Sequence, residues 1–122
     1  MDFEEAFRKV VALEGGFTLH RNPGETAETY AGIYRKAFPQ WEGWRYVDRG
    51  EKPPTELVRK FYYENFYKFW EDKIQDERLR FLAFEFSVNA GIERAVKILQ
   101  QVLGVVQDGI WGPKTGLTRG GR

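Results

Sequence analysis

Hydrophobic residues recur at helical spacing near the start of the chain. The apolar positions are Phe3, Ala6, Phe7, Val10, Val11 and Leu13. Intervals of three and four residues are typical of an amphipathic helix with one face against a core. Gly15 and Gly16 follow, and glycine adopts without penalty the left-handed conformation that ends many helices. The pattern therefore predicts a helix over residues 2–14.

The same periodicity predicts four more helices, so the expected fold class is all-α. These helices cover residues 30–38, 55–73, 77–88 and 92–103. Thr55 follows two prolines and suits an N-cap, and Pro39 stops the second helix. Residues 77–88 are apolar almost all round, which is typical of a helix at the centre of a domain. Alternation of period two is too short for a sheet, although a short hairpin around residues 17–30 stays open.

Composition limits the kind of protein. The 122 residues are 42% hydrophobic and 30% charged, which is too apolar for a disordered chain and too polar for a membrane span. A chain of this length buries roughly two-thirds of its unfolded surface, enough for one core. With 19 basic and 18 acidic residues the net charge is +1, which does not favour a nucleic-acid partner. We expect a monomeric single domain with no nucleic acid and no integral membrane segment.

Two residue types needed for common chemistry are scarce. There is no cysteine, and His20 is the only histidine. Disulfides, thiolate zinc sites and cysteine nucleophiles are thereby excluded, and histidine-based metal sites or catalytic triads are disfavoured. We expect no metal and no cofactor. Carboxylates are left as the groups for acid–base chemistry.

Glu14 is the carboxylate that the pattern singles out. Continuing the apolar stripe of the first helix by four residues from Val10 reaches Glu14, directly before the glycine pair. Partial burial and the negative end of the helix dipole both favour the protonated carboxyl. A protonated glutamic acid near neutral pH can give its proton to a leaving group. The alternative is a glutamate that turns outward or pairs with an arginine.

Several motifs occur in a fixed order along the chain. They are Glu14-Gly15-Gly16-Phe17, Glu28-Thr29-Tyr30-Ala31-Gly32-Ile33 and Trp41-Glu42-Gly43-Trp44. With them the chain resembles glycoside hydrolase family 108, the N-acetylmuramidases of bacteria and phages that are also labelled secretion activators. Residues 84–100 and 108–115 resemble the peptidoglycan-binding C-terminal part of that family, and we expect this part to be shortened in the chain.

The resemblance implies a lysozyme-like helical fold. It also implies hydrolysis of the β-1,4 bond between N-acetylmuramic acid and N-acetylglucosamine, with Glu14 as the catalytic acid. Residues 1–75 would form the catalytic part, and residues 76–122 a peptidoglycan-binding-like helical part packed into the same domain. A poor leaving group such as a glycosidic oxygen needs a proton as its bond breaks, which suits this assignment.

The second catalytic group is less well defined. In the family an aspartate usually follows the glutamate by nine residues, ahead of Gly-Gly-Glu-Thr. Asn22 occupies the nearest position here and cannot act as a base. Glu25 or Glu28 could replace the aspartate, or the carboxylate is not essential. Thr29 matches the family's threonine and could hold the attacking water, or could cap the helix predicted at 30–38, or both.

Substrate contacts are expected from aromatic and polar residues, since sugars stack on aromatic rings. The candidates are Tyr30, Trp44, Trp111, Asn89 and Glu28. For Asn89 the alternative is a bridge between backbone groups where two helices meet. Glu85 lies in the most apolar helix, and we expect it to pair with Arg78 or Arg94 rather than to act in catalysis.

The expected place of action is the cell wall. The N-terminus has neither the basic start nor the apolar stretch of a secretory signal, so we expect synthesis in the cytoplasm and release by a holin or a dedicated secretion path. A phage endolysin or a wall-remodelling enzyme both fit. The competing hypothesis is a catalytically weak or inactive peptidoglycan-binding protein, because the aspartate is replaced.

Overall fold

The structure is a computed structural model that describes residues 2–104, and it confirms a largely helical fold. The helices are α1 (Phe3–Leu13), α2 (Trp44–Asp48), α3 (Thr55–Tyr62), α4 (Lys68–Glu71), α5 (Glu77–Ala90) and α6 (Ile92–Leu103). A π-helical segment, Tyr63–Tyr67, joins α3 and α4 into one continuous helix. None of these helices is long and apolar enough to cross a membrane. Trp111 and the motif at 108–115 lie outside the described residues.

A small sheet replaces one of the predicted helices. Its strands are β1 (Leu19–His20), β2 (Thr29–Tyr30) and β3 (Ile33–Tyr34), antiparallel and in the order β1-β2-β3. The helix predicted over residues 30–38 is therefore wrong. Ala31 and Gly32 both have positive φ, 51° and 84°, between β2 and β3. A two-residue turn of this kind matches the twist of a hairpin and cannot continue a helix.

The chain divides into two compact units. The first unit is residues 4–61, with α1, the sheet, α2 and most of α3. Its buried hydrophobic residues are Ala6, Phe7, Val10, Val11, Tyr30, Ala31, Ile33, Trp44, Val58 and Phe61. Aromatic rings dominate the part near α2, where Trp41 lies edge-on to Trp44 at 5.2 Å between ring centroids. Apolar side chains from α1, the sheet and α3 thus supply the core of the unit that carries Glu14 and Thr29.

The second unit contains Phe3 and the chain from Tyr62 onward. One cluster of buried residues is Trp70, Ile74, Ala83, Ala95, Val96 and Leu99. Phe3 packs against Tyr67 and Phe84, with ring centroids 4.9 and 6.3 Å away. The functional division predicted at residues 75 and 76 stays a prediction.

The π-helical segment changes which face of the long helix is buried. Helical spacing continued from the buried Val58 and Tyr62 would bring Asn65 and Phe69 to the core. Asn65 is instead exposed and Phe69 only partly buried, whereas Trp70 is 0% exposed. A π turn takes in one more residue than an α turn, and so it moves the buried face one position along the chain. Similarly, α5 is apolar on more than one side, yet Leu82 is 43% exposed and only Ala83, Phe84 and Ser87 are buried.

Candidate functional site

Glu14 is the C-cap residue of α1, one position beyond the last helical residue. The Gly16 N–H donates to the Val11 carbonyl at 2.8 Å, and the Gly15 N–H donates to the Ala12 carbonyl at 3.2 Å. These two bonds form a Schellman motif, which requires a positive φ at the residue after the C-cap, here the 98° of Gly15. Gly16 also has a positive φ, 82°. The Glu14 side chain is partly buried. The backbone of Glu14 is therefore at the C-terminal, negative end of the helix, and its predicted partial burial is confirmed.

The glycine pair leads directly into the sheet. The Thr18 N–H donates to the Gly16 carbonyl at 2.9 Å, and its hydroxyl donates to the Gly15 carbonyl at 3.2 Å. The Ala31 N–H in turn donates to the Thr18 carbonyl at 3.2 Å. Backbone hydrogen bonds thus link the end of α1 to the turn between β2 and β3. The backbone that follows Glu14 is therefore fixed to the sheet by hydrogen bonds.

Thr29 lies on the central strand, opposite His20 on β1 and Tyr34 on β3. Thr29 is 6% exposed, and its hydroxyl oxygen is buried without a hydrogen-bond partner among residues 2–104. It does not cap a helix, because a strand and not a helix begins here. A buried polar atom left unpaired costs about 1–3 kcal/mol, so an unpaired hydroxyl next to a candidate active site requires an explanation.

The loop between β1 and β2 is held by its own side chains. Asn22 donates from Nδ2 to Oε1 of Glu25 at 3.0 Å, and the Glu25 N–H donates to the Asn22 carbonyl at 3.1 Å. Arg21 donates from Nη1 to the Thr26 carbonyl at 3.0 Å. Glu25 is partly buried. Asn22 thus binds a neighbouring carboxylate directly.

Glu28 belongs to an ion-pair network centred on Arg35. Both terminal nitrogens of Arg35 donate to Asp48, each at 2.8 Å, and Nη1 is also 3.7 Å from the Glu28 carboxylate. The guanidinium lies over the Trp44 ring, 5.1 Å from its centroid. The hydrogen bond from Arg35 lowers the pKa of Asp48, and the same bond raises the pKa of Arg35. No periodicity or motif identified Arg35 or Asp48, because their pairing depends on the unpredicted hairpin.

The residues expected to contact substrate are spread over the fold. Tyr30 is 3% exposed, and Trp44 is 2% exposed with its indole N–H donated to the Phe38 carbonyl at 2.7 Å. Burial also raises the pKa of the Tyr30 phenol. The burial of Tyr30 and Trp44 does not support their predicted role in substrate binding, and we do not include them in the proposed site.

Two predictions concern α5. Asn89 is exposed and donates to the Glu85 carbonyl within the same helix at 3.0 Å, so it does not bridge two helices. Among residues 2–104 the Glu85 carboxylate has no ion pair with Arg78 or Arg94, contrary to expectation. Because Glu85 is only partly buried, water can still solvate it. Within the same described range, no group of three or more acidic or histidine side chains is placed to hold a metal ion.

Comparison with known proteins adds to this geometry. The sequence profile of the family Glycosyl hydrolase 108 matches residues 7–91, well over half of the chain. The solved structure of SagA from Brucella abortus superposes with a TM-score of 0.69 at 28% sequence identity. That match covers 96% of this chain and 67% of the other. No curated protein matches by sequence.

Proposed function

The chain belongs to the Glycosyl hydrolase 108 family, and we propose that it is an N-acetylmuramidase. Its substrate would be peptidoglycan, and the bond cleaved the β-1,4 bond between N-acetylmuramic acid and N-acetylglucosamine. The observation that carries the proposal is the position of Glu14 within the family match, at the Schellman end of α1. The Glu14 residue is partly buried and caps the C-terminal end of α1. Burial and the negative end of a helix dipole both favour the protonated form of a carboxyl in general, which supports a role as proton donor.

In the proposed reaction Glu14 protonates the glycosidic oxygen while its bond to the anomeric carbon breaks. This converts an alkoxide leaving group into a neutral hydroxyl. A water attacks the anomeric carbon and gives its proton to a base. The buried hydroxyl of Thr29 supports a role in placing that water, because it has no partner among the described residues. A small movement on substrate binding would let the hydroxyl make the bond that it lacks.

The direct test replaces Glu14 by glutamine, which keeps the shape of the side chain and removes the proton donor. Glu14→Gln should lose the release of reducing ends from purified peptidoglycan by 10²-fold or more, since a general acid contributes about 10²–10⁴-fold. Glu42→Gln is the matched control, because Glu42 is exposed on the same unit. Wild-type rates in Glu14→Gln at an unchanged melting temperature would overturn the assignment.

One observation favours a second candidate, a catalytically weak or inactive peptidoglycan-binding protein. Asn22 occupies the position nearest to the aspartate that the family usually has, and it cannot act as a base. If wild-type protein sediments with purified peptidoglycan but releases no reducing ends, this candidate is correct and the muramidase proposal is wrong. In either case we propose that the protein acts at the cell wall, after release by a holin or a secretion path.

A further inference from the structure

We propose that Glu25 is the second catalytic carboxylate of this chain and that Asn22 positions it. The proposal rests on the muramidase function proposed above. Glu25, three residues after Asn22, would take the role that an aspartate has in the family. The contact that carries it is the hydrogen bond from Nδ2 of Asn22 to Oε1 of Glu25, at 3.0 Å.

The contacts of the other candidate, Glu28, point away from this role. Its carboxylate lies 3.7 Å from an Arg35 nitrogen, in a network with Asp48. This nearby cation gives the Glu28 carboxylate a charge partner within the protein, which fits a structural role. Glu25 has no arginine or lysine within ion-pair distance in the described part of the chain.

The local geometry of Glu25 favours a fixed position over a mobile one. The backbone turn from Glu25 N–H to the Asn22 carbonyl closes the same four residues that the side-chain bond spans. The hydrogen bond from Arg21 to the carbonyl of Thr26 holds the residue directly after Glu25. Asn22 binds Oε1 of Glu25, and within residues 2–104 Oε2 has no hydrogen-bond partner and could bind a water. A catalytic group held by its neighbours loses less entropy in the transition state.

Glu25 belongs to the same compact unit as Glu14 and Thr29, residues 4–61, and lies in the loop between β1 and β2. The loop leaves β1 at His20 and returns at Thr29, and these two residues face each other across the strands. Glu25 thus lies in the segment that ends at the Thr29 hydroxyl. In the proposed step, Glu25 takes a proton from the water as its oxygen bonds to the anomeric carbon. Glu14 gives its own proton to the departing oxygen, and solvent later restores both carboxyl groups.

The test exchanges the amide of Asn22 and the carboxylate of Glu25 between the two positions. Glu25→Gln keeps an oxygen for Asn22 to bind but removes the base, and we expect at least a 10²-fold loss in reducing-end release. The double variant N22D/E25Q moves the carboxylate to position 22 and reverses the hydrogen bond, so that the amide at position 25 donates to the carboxylate at position 22. We expect at least a tenfold recovery over Glu25→Gln, with melting temperature and peptidoglycan binding unchanged in both. Glu42→Gln again serves as the control.

A second measurement separates a base from a structural residue. Azide attacks an anomeric carbon without losing a proton, so it should restore bond cleavage in Glu25→Gln and give a glycosyl azide visible by mass spectrometry. Wild-type activity in Glu25→Gln overturns the proposal, as does a loss that neither azide nor N22D/E25Q repairs. If the wild type is inactive and N22D alone releases reducing ends, the muramidase proposal fails, and the Glu25 assignment fails with it. If the wild type and N22D are both inactive, the muramidase proposal and the Glu25 assignment are both wrong.

Discussion

Arg35 binds Asp48 through two parallel hydrogen bonds of 2.8 Å, and these bonds tie the residue after β3 to the last residue of α2. The Arg35 N–H also donates to the Glu28 carbonyl at 3.0 Å, which extends the β2–β3 pairing by one residue pair. The same arginine therefore contacts the residue immediately before Thr29. Planar, two-point pairing of arginine with a carboxylate fixes orientation as well as distance.

The Arg35–Asp48 pair should make the free energy of unfolding depend on pH. Because the hydrogen bond from Arg35 lowers the pKa of Asp48 in the folded protein, the stabilisation is present above the ordinary carboxyl pKa of about 3.9. It is lost as the pH falls through the lower, folded-state value. We expect Asp48→Asn to have a lower melting temperature than the wild type at pH 7 and a smaller difference below about pH 4. Thermal unfolding followed by circular dichroism from pH 3 to 7 measures both.

Arg35→Lys provides the control for this measurement. Lysine keeps the charge but cannot form two parallel hydrogen bonds, so the variant should reproduce only part of the pH dependence. A difference between wild type and Asp48→Asn that stays constant from pH 3 to 7 would show that the pair does not titrate with folding.

Replacing Thr29 should separate stability from activity. Valine has the same shape as threonine and lacks the hydroxyl, which is buried without a partner among the described residues. Removing an unsatisfied buried polar atom is neutral or stabilising, by up to about 1 kcal/mol in the free energy of unfolding. If the hydroxyl places water, Thr29→Val should also lower the turnover number at least tenfold. Denaturant unfolding and reducing-end kinetics measure the two effects.

Thr29→Ser is the matched variant, since it retains the hydroxyl and loses only a methyl group. It should keep most of the turnover while losing about 1 kcal/mol of stability from the missing buried methyl. Full activity in Thr29→Val would remove Thr29 from the mechanism and leave its burial as a packing feature only.

The glycine pair after Glu14 should be sensitive to substitution for backbone reasons alone. Gly16 has a φ of 82°, and a Cβ built there meets no atom within 4 Å. The cost of Gly16→Ala is therefore the strain of left-handed backbone, about 1–2 kcal/mol in the free energy of unfolding. Gly16→Asn should cost less, since asparagine tolerates this conformation better. Equal losses for both would indicate a steric cause instead.

The sequence predicted the helical elements better than the sheet. Helix α1 and its glycine end were identifiable because a long apolar stripe stops at two adjacent glycines, and α6 ends likewise at Gly104. The strands are two residues each, and two residues are too few to show an alternation of polar and apolar positions. The turn between β2 and β3 begins with Ala31 and not with the asparagine or aspartate that marks such turns.

The candidate site was predictable where it depends on local sequence. Glu14 followed from the stripe of α1, whereas the Arg35–Asp48 pair depends on tertiary contacts between residues 13 positions apart. Tyr30 and Trp44 could not be distinguished from exposed, sugar-stacking rings, since aromatic residues occur in both settings. Their burial became clear only once the sheet and α2 were in place.

The most direct test of the muramidase proposal is mass spectrometry of borohydride-reduced peptidoglycan digests. The wild-type protein should produce fragments that end in reduced N-acetylmuramic acid, and Glu14→Gln should produce none. Fragments that end in reduced N-acetylglucosamine, anhydro-ended fragments, or an undigested wall after incubation with wild-type protein would each contradict the proposal.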